Sequence, residues 1–267
     1  MKVLIILFFA FCLLTNLAFS QDDSPYKTSF KADGALIAGG VGLSYLGLTL
    51  IQNKDALTTA EVLSRSKSDV NFFDRSAVGN YSNKLDKASY YPFYASFAMP
   101  VVMLLNNNTG KKAGQVLVLY VETMALTGAM YTLTAGSVQR SRPLVYSSDA
   151  PMNERTDKDA QRSFYAGHTA ATAAATFFAA KVFQDFNPDS KAKPYVWAAA
   201  AVVPAAVGYL RLKSGRHFLS DNLLGYAVGA ATGIMVPQLH KKSSGSDLSL
   251  VPVISHDSKG AALSYTF

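Results

Sequence analysis

Long apolar stretches alternate with polar ones along the chain. Uncharged or nearly uncharged runs cover residues 34–52, 88–105, 113–133, 167–183, 195–210 and 223–239. Runs of roughly 15–20 such residues are too long for strands, and each predicts a helix. Pro92 and Pro100 predict a late start or a kink in the second run, and Glu122 interrupts the third. Glu122 reads either as a functional polar group or, preferably, as one paired with a neighbouring helix. Residues 106–112 hold three asparagines, a threonine, a glycine and two lysines, which predict a turn.

Residues 53–87 are polar and mixed in charge, suited to short helices and a loop, with Asp74-Arg75 as a local ion pair. Residues 136–165 form a second polar connection, longer than most structureless loops. At the C-terminal end the pattern changes period. Residues 248–254 and 261–267 are short β-like runs around Asp257-Ser-Lys-Gly260, which predicts a hairpin. That hairpin either closes over the helices or, given its alternation and final Phe267, serves as an outer-membrane association signal.

The first residues are of another kind. Lys2, the apolar run 3–14 and Ala18-Phe19-Ser20 form a secretory signal pattern with cleavage after Ser20. Cys12 is the only cysteine and lies inside that run behind bulky Phe11, so neither lipidation nor a disulfide is expected. An exported N-terminus constrains topology. Six true spans would put the 136–165 and 211–221 connections in the cytoplasm. An exported site therefore requires that some segments do not span, as in a helical bundle wholly or partly in the periplasm. A six-span membrane protein is the competing arrangement.

Composition sharpens this picture. Apolar residues make up 49% of the 267 and charged ones 16%, against about 25% charged in ordinary soluble domains. That leans toward membrane association, and the Ala, Gly and Thr content of the runs suits close helix packing. The net charge of +7 is spread out with no long basic run. It fits anionic ligands or membrane surfaces rather than nucleic acid.

Three stretches carry candidate chemistry. Residues 211–221 read Arg211-Leu-Lys-Ser-Gly-Arg-His217-Phe-Leu-Ser-Asp221. The arginine offers a planar fork to phosphate oxygens, the histidine is a nucleophile, and the aspartate can fix its tautomer. Gly167-His168 opens the fourth predicted helix, where amides and dipole favour an anion. Gln139-Arg140-Ser-Arg142-Pro143 follows the third. His240 and His256, in the tail region, read as surface residues.

This order resembles the superfamily of type 2 phosphatidic acid phosphatases, bacterial acid phosphatases and vanadium haloperoxidases. Its pattern is K-x6-R-P, then P-S-G-H, then S-R-x5-H-x3-D. Arg142-Pro143, Gly167-His168 and Arg211, His217 and Asp221 match it here. The resemblance implies an all-α fold, a six-helix bundle of the phosphatidic acid phosphatase/haloperoxidase type, with a phosphatidic acid phosphatase/haloperoxidase-like helical domain over residues 88–242. Before that domain come the signal peptide (1–20) and an arm, first helix and polar connection (21–87), and after it a β-hairpin tail (243–267). By resemblance His217 is the nucleophile forming a phosphohistidine and Asp221 orients it. His168 protonates the leaving group and later activates water, while Arg142, Arg211 and the Gly167 amide hold the phosphate. No cofactor is implied and no metal for phosphatase work; vanadate is a phosphate mimic.

The departures from the pattern fall on supporting positions. Ala135 stands where the family has lysine, Tyr165 and Ala166 replace Pro-Ser, and Leu210 replaces the serine before the arginine. Arg140, Lys213 and Arg216 are the auxiliary cations near matching positions. The implied function is an exported, metal-independent phosphatase acting on a phosphate ester, a lipid or other membrane-derived phosphate being favoured by composition. A catalytically weakened phosphate-binding pseudoenzyme is the alternative, and a vanadate-dependent haloperoxidase the second.

Overall fold

A computed structural model describes residues 24–242, 247–254 and 259–266. The signal-like segment and His256 lie outside them. The described chain is an all-α bundle with a paired tail. Its helices are α1 (Phe30–Gln52), α2 (Thr59–Ser64), α3 (Asn83–Met103), α4 (Asn107–Gly110), α5 (Ala113–Ser137), α6 (Met152–Thr156), α7 (Gly167–Phe186), α8 (Lys193–Lys213) and α9 (Leu219–Leu239). The strands β1 (Asp247–Ile254) and β2 (Lys259–Thr266) pair antiparallel, Leu250 opposite Leu263. The predicted hairpin is present, and Asp257 and Ser258 of its turn fall outside the described residues.

Each predicted apolar run is a helix. The second run starts earlier than its prolines suggest, because Ser82 caps α3 through the Leu85 amide (3.3 Å). Pro92 and Pro100 lie inside it. Residues 106–112 include the single turn of α4, capped by the Asn106 side chain. Short 3₁₀ turns and α6 structure the long polar connections.

Close helix approach organises the bundle. A Cβ on Gly225, Gly229 or Gly233 of α9 would lie 2.5, 2.0 and 2.6 Å from the carbonyl oxygens of Ala166, Ala170 and Ala174. Residue numbers rise together along that contact, so α7 and α9 run parallel, backbone against backbone. On α1 and α5, Gly40 meets Ala125 and Gly47 meets Thr132, again a parallel pair. All six long helices consequently place one end on a common face: α1, α5 and α8 finish there, and α3, α7 and α9 begin there.

Among the described residues three helices, α1, α5 and α8, are long and apolar enough to cross a membrane. Large apolar side chains such as Leu43, Leu46, Val202, Tyr209 and Met235 are exposed on the bundle. Both features support membrane association.

Candidate active site

The site is built where those helix ends meet. Helix α8 stops at Lys213, and Gly215 turns the chain with φ of 77°. Only a glycine fits: besides the left-handed φ, a Cβ here would sit 1.9 Å from the Asn80 carbonyl. The Arg216 and His217 amides then both donate to the Arg211 carbonyl (3.0 and 3.3 Å). This compact turn sets Arg211, 2% exposed, beside His217, 1% exposed.

His217 Nδ1 lies 2.6 Å from the Ser163 carbonyl. A carbonyl only accepts, so Nδ1 carries the proton and Nε2 presents its lone pair. Burial, followed by the charges of Arg211 and Arg142, holds the ring far below the usual histidine range, against the pull of the Ser163 carbonyl. It is a neutral imidazole. Asp221 reaches it indirectly. Its carboxylate accepts from Ser163 Oγ (2.6 Å), from the Phe218 amide (2.9 Å) and from Arg140. The aspartate thus grips the serine whose carbonyl grips the histidine. Burial pushes the Asp221 carboxyl up to about 6, opposed by Arg140, Ser163 and the Phe218 amide.

His168 is the second residue of α7, on the neighbouring parallel helix. Its ring packs on Phe93 (4.4 Å between centroids) and edge-on to Tyr90 (5.1 Å), both from α3. Burial and then the charges of Arg211, Arg142, Arg162 and Arg216 lower it to about 3. Gly167 has the Tyr131 ring against it, 2.6 Å from where a Cβ would be. Among the described residues no side chain caps the start of α7, because Ala166 has no hydroxyl to offer.

Four guanidinium groups act on His168, and two of them, Arg211 and Arg142, also on His217; carboxylates hold all four. Asp86 of α3 binds Arg211 and Arg216 (2.9 Å to the latter), and Asp159 binds Arg142 and Arg162. The Nε atoms of Arg142, Arg162 and Arg211 are buried and have no hydrogen-bond partner among the described residues. Unpaired buried donors are costly, and these three lie on arginines that all act on His168; an anion is the kind of group that would satisfy them.

Arg162 is the residue that motif reading missed. It lies outside the matching motifs, six positions before His168. A parallel bridge between Arg140 and Arg162, with the Arg142 amide on the Ala160 carbonyl (2.8 Å), lays its segment beside the first motif. Buried Lys54 pins the two segments through the Val138 and Gln161 carbonyls (2.5 and 3.2 Å). Ala135, where the family carries lysine, is fully buried.

The three auxiliary cations separate. Arg216 is in the cluster. Arg140 instead bonds Asp74 (2.6 Å) and Asp221 and lies over the Phe218 ring (4.7 Å), behind His217. Lys213 is exposed and lies against Tyr209. Two further expectations are corrected. Asp74 does not pair with Arg75; it is buried and takes Arg140 and Ser220, while Arg75 Nε donates to the Val70 carbonyl. His240 is not a surface residue, because the end of α9 turns it inward toward Asp33 and Glu122.

Residues 116–244, which contain this whole motif set, match the family described as the PAP2 superfamily. No curated protein matches the chain. Among solved structures, the chain is similar to a transmembrane PAP2 type phosphatidylglycerolphosphate phosphatase from Bacillus subtilis. Identity is 21% over 75% of this chain and 94% of that one, with a TM-score of 0.48. The PAP2 match supports a phosphatase-type function for the helical bundle.

Proposed function

We propose that this protein is a PAP2-type phosphatase that hydrolyses phosphomonoesters, membrane lipid phosphates among them, through a phosphohistidine on His217. The observation that carries this reading is the set of three buried, unpartnered arginine Nε donors around a histidine pair. Arg142, Arg211 and Arg162 hold the phosphate oxygens, assisted by the uncapped α7 terminus and the Gly167 amide. Arg162 supplies the cation that Ala135 lacks. Export rests on the signal pattern of residues 1–20.

The reaction runs in two displacements. His217 Nε2 attacks phosphorus, an N–P bond forms and the ester P–O bond breaks. His168 gives its proton to the departing oxygen. Neutral His168 then takes a proton from water, the water oxygen attacks phosphorus, and the N–P bond breaks to release inorganic phosphate. His168 is neutral in the free protein, so it must gain a proton for the first step. The negative charge of a bound phosphate opposes the four guanidinium groups and raises its proton affinity.

A lipid substrate is supported by a cavity of about 360 Å³ next to the site. Its wall includes Pro204, Gly208, Leu212, Leu223 and Tyr226, together with Thr169 and Asn222, bonded at 2.8 Å. These two residues follow His168 and Asp221 directly in sequence.

The test is turnover of p-nitrophenyl phosphate and of phosphatidic acid in mixed micelles without added metal. Wild type should hydrolyse both, His217→Ala neither, and Arg162→Ala should be slower by about 10²–10³. Phosphate binding without turnover in wild type would overturn the proposal in favour of a pseudoenzyme, for which Ala135 and Ala166 speak. An Arg162→Ala rate equal to wild type would remove Arg162 from the site.

A further inference from the structure

The far end of the bundle carries a second cluster, unrelated to the phosphate chemistry. Asp33 comes from the first turn of α1, Glu122 from α5 and His240 from the end of α9. Along α9 it lies about 30 Å from His217, at 1.5 Å of rise per residue. One ligating atom from each residue falls within 4.8 Å of the other two.

His240 Nε2 stands at the distance of a long hydrogen bond to Asp33 and of a long ion pair to Glu122, and the spacing is also that of ligands sharing one ion. His240 Nε2 is 3.3 Å from Asp33 Oδ1 and 3.5 Å from Glu122 Oε2. A charge-assisted N–H···O bond is shorter, about 2.7–2.9 Å. The edge of a tetrahedron with metal–ligand bonds of about 2.0–2.1 Å is about 3.3–3.5 Å. Glu122 Oε2 is buried with no hydrogen-bond partner among the described residues, in a residue only 4% exposed. A carboxylate oxygen in that position requires a cation or a donor.

The outer contacts match what metal ligands need. His240 Nδ1 lies 2.8 Å from the Val236 carbonyl, which places the proton on Nδ1 and leaves the Nε2 lone pair facing the carboxylates. Asp33 Oδ2 accepts from the Ser29 amide (2.8 Å), which leaves Oδ1 for the cluster. The Lys27 amide donates to the His240 carbonyl (2.7 Å), fixing the N-terminal arm against the end of α9.

We propose that Asp33, Glu122 and His240 bind one divalent transition ion, of the borderline class exemplified by Zn²⁺, which fastens α1, α5 and α9 together away from the active site. Two carboxylates and an imidazole suit such an ion and leave a fourth position for water. The role is structural, because no phosphate-binding group lies in the cluster.

The experiment uses tag-free full-length protein in detergent, stripped with chelator, equilibrated with Zn²⁺ and passed through a desalting column. Metal content is read by mass spectrometry and stability by thermal melting. Wild type should retain one Zn²⁺ per chain and melt several degrees higher with it than without. Glu122→Gln should lose the ion and the Zn²⁺-dependent rise. Its stripped form should melt no lower than stripped wild type, since a carboxylate repulsion is gone. His240→Gln gives the same reading if the glutamate variant does not fold. Absence of retained Zn²⁺ in wild type, or retention by both variants, would overturn the site.

Discussion

His168 shows how one residue's surroundings set its chemistry. Its proton affinity is low because burial and four arginines oppose a further positive charge, to about 3 against an ordinary value of 6.5. Between those values the unfolded chain binds a proton that the folded one does not. Stability due to His168 is therefore complete above about pH 6.5 and is lost as pH falls toward 3. The slope is at most about 1.4 kcal/mol per pH unit. His168→Gln should unfold with a shallower pH dependence than wild type between pH 6.5 and 4, by up to that amount, in chemical denaturation. Equal slopes would mean that His168 is not held neutral. At this scale the motif residues are legible because their spacing is local: Arg211, His217 and Asp221 share one turn. Arg162 was not legible, because a cation contributed from the 136–165 connection has no fixed offset from Ala135. The Asp86 and Asp159 clasps, and the Ser163 relay between Asp221 and His217, depend on contacts between distant segments.

At the scale of elements, glycine spacing sets the register of the site. Gly225, Gly229 and Gly233 recur every fourth residue and let α9 lie on the α7 backbone. The same contact aligns the start of α7, with His168, and the start of α9, just after His217; the Ala166 amide donates to the Asp221 carbonyl (3.0 Å). Gly229→Ala should destabilise the protein by about 1–3 kcal/mol through overpacking against rigid backbone. It should also slow turnover by shifting one histidine against the other. Gly39→Ala, with open space around the added methyl, is the control and should be neutral or slightly stabilising in denaturant titrations. A variant at Gly229 as stable as that control would refute the close parallel contact. Apolar runs made the long helices legible. The start of α3 and the 3₁₀ turns were not, because single caps such as Ser82 decide them.

Across the whole molecule, parallel pairing of α1 with α5 and of α7 with α9 separates two ends with different chemistry. One gathers arginines and two neutral histidines; the other gathers Asp33, Glu122 and His240. The apolar exposed flank between them suits a membrane. The motif order brings Arg142, His168, Arg211 and His217 to one end. The far end was not legible, because its three members are 89 and 118 residues apart in sequence and match no motif.

The central claim, that His217 takes the phosphoryl group, can be tested by trapping. His168→Ala with p-nitrophenyl phosphate is the suitable pair, since p-nitrophenolate leaves without a proton while hydrolysis of the N–P bond still needs a base. After an alkaline quench, peptide mass spectrometry should find phosphate on His217. Turnover by wild type with the phosphoryl group on another residue, or turnover retained by His217→Ala, would contradict the account.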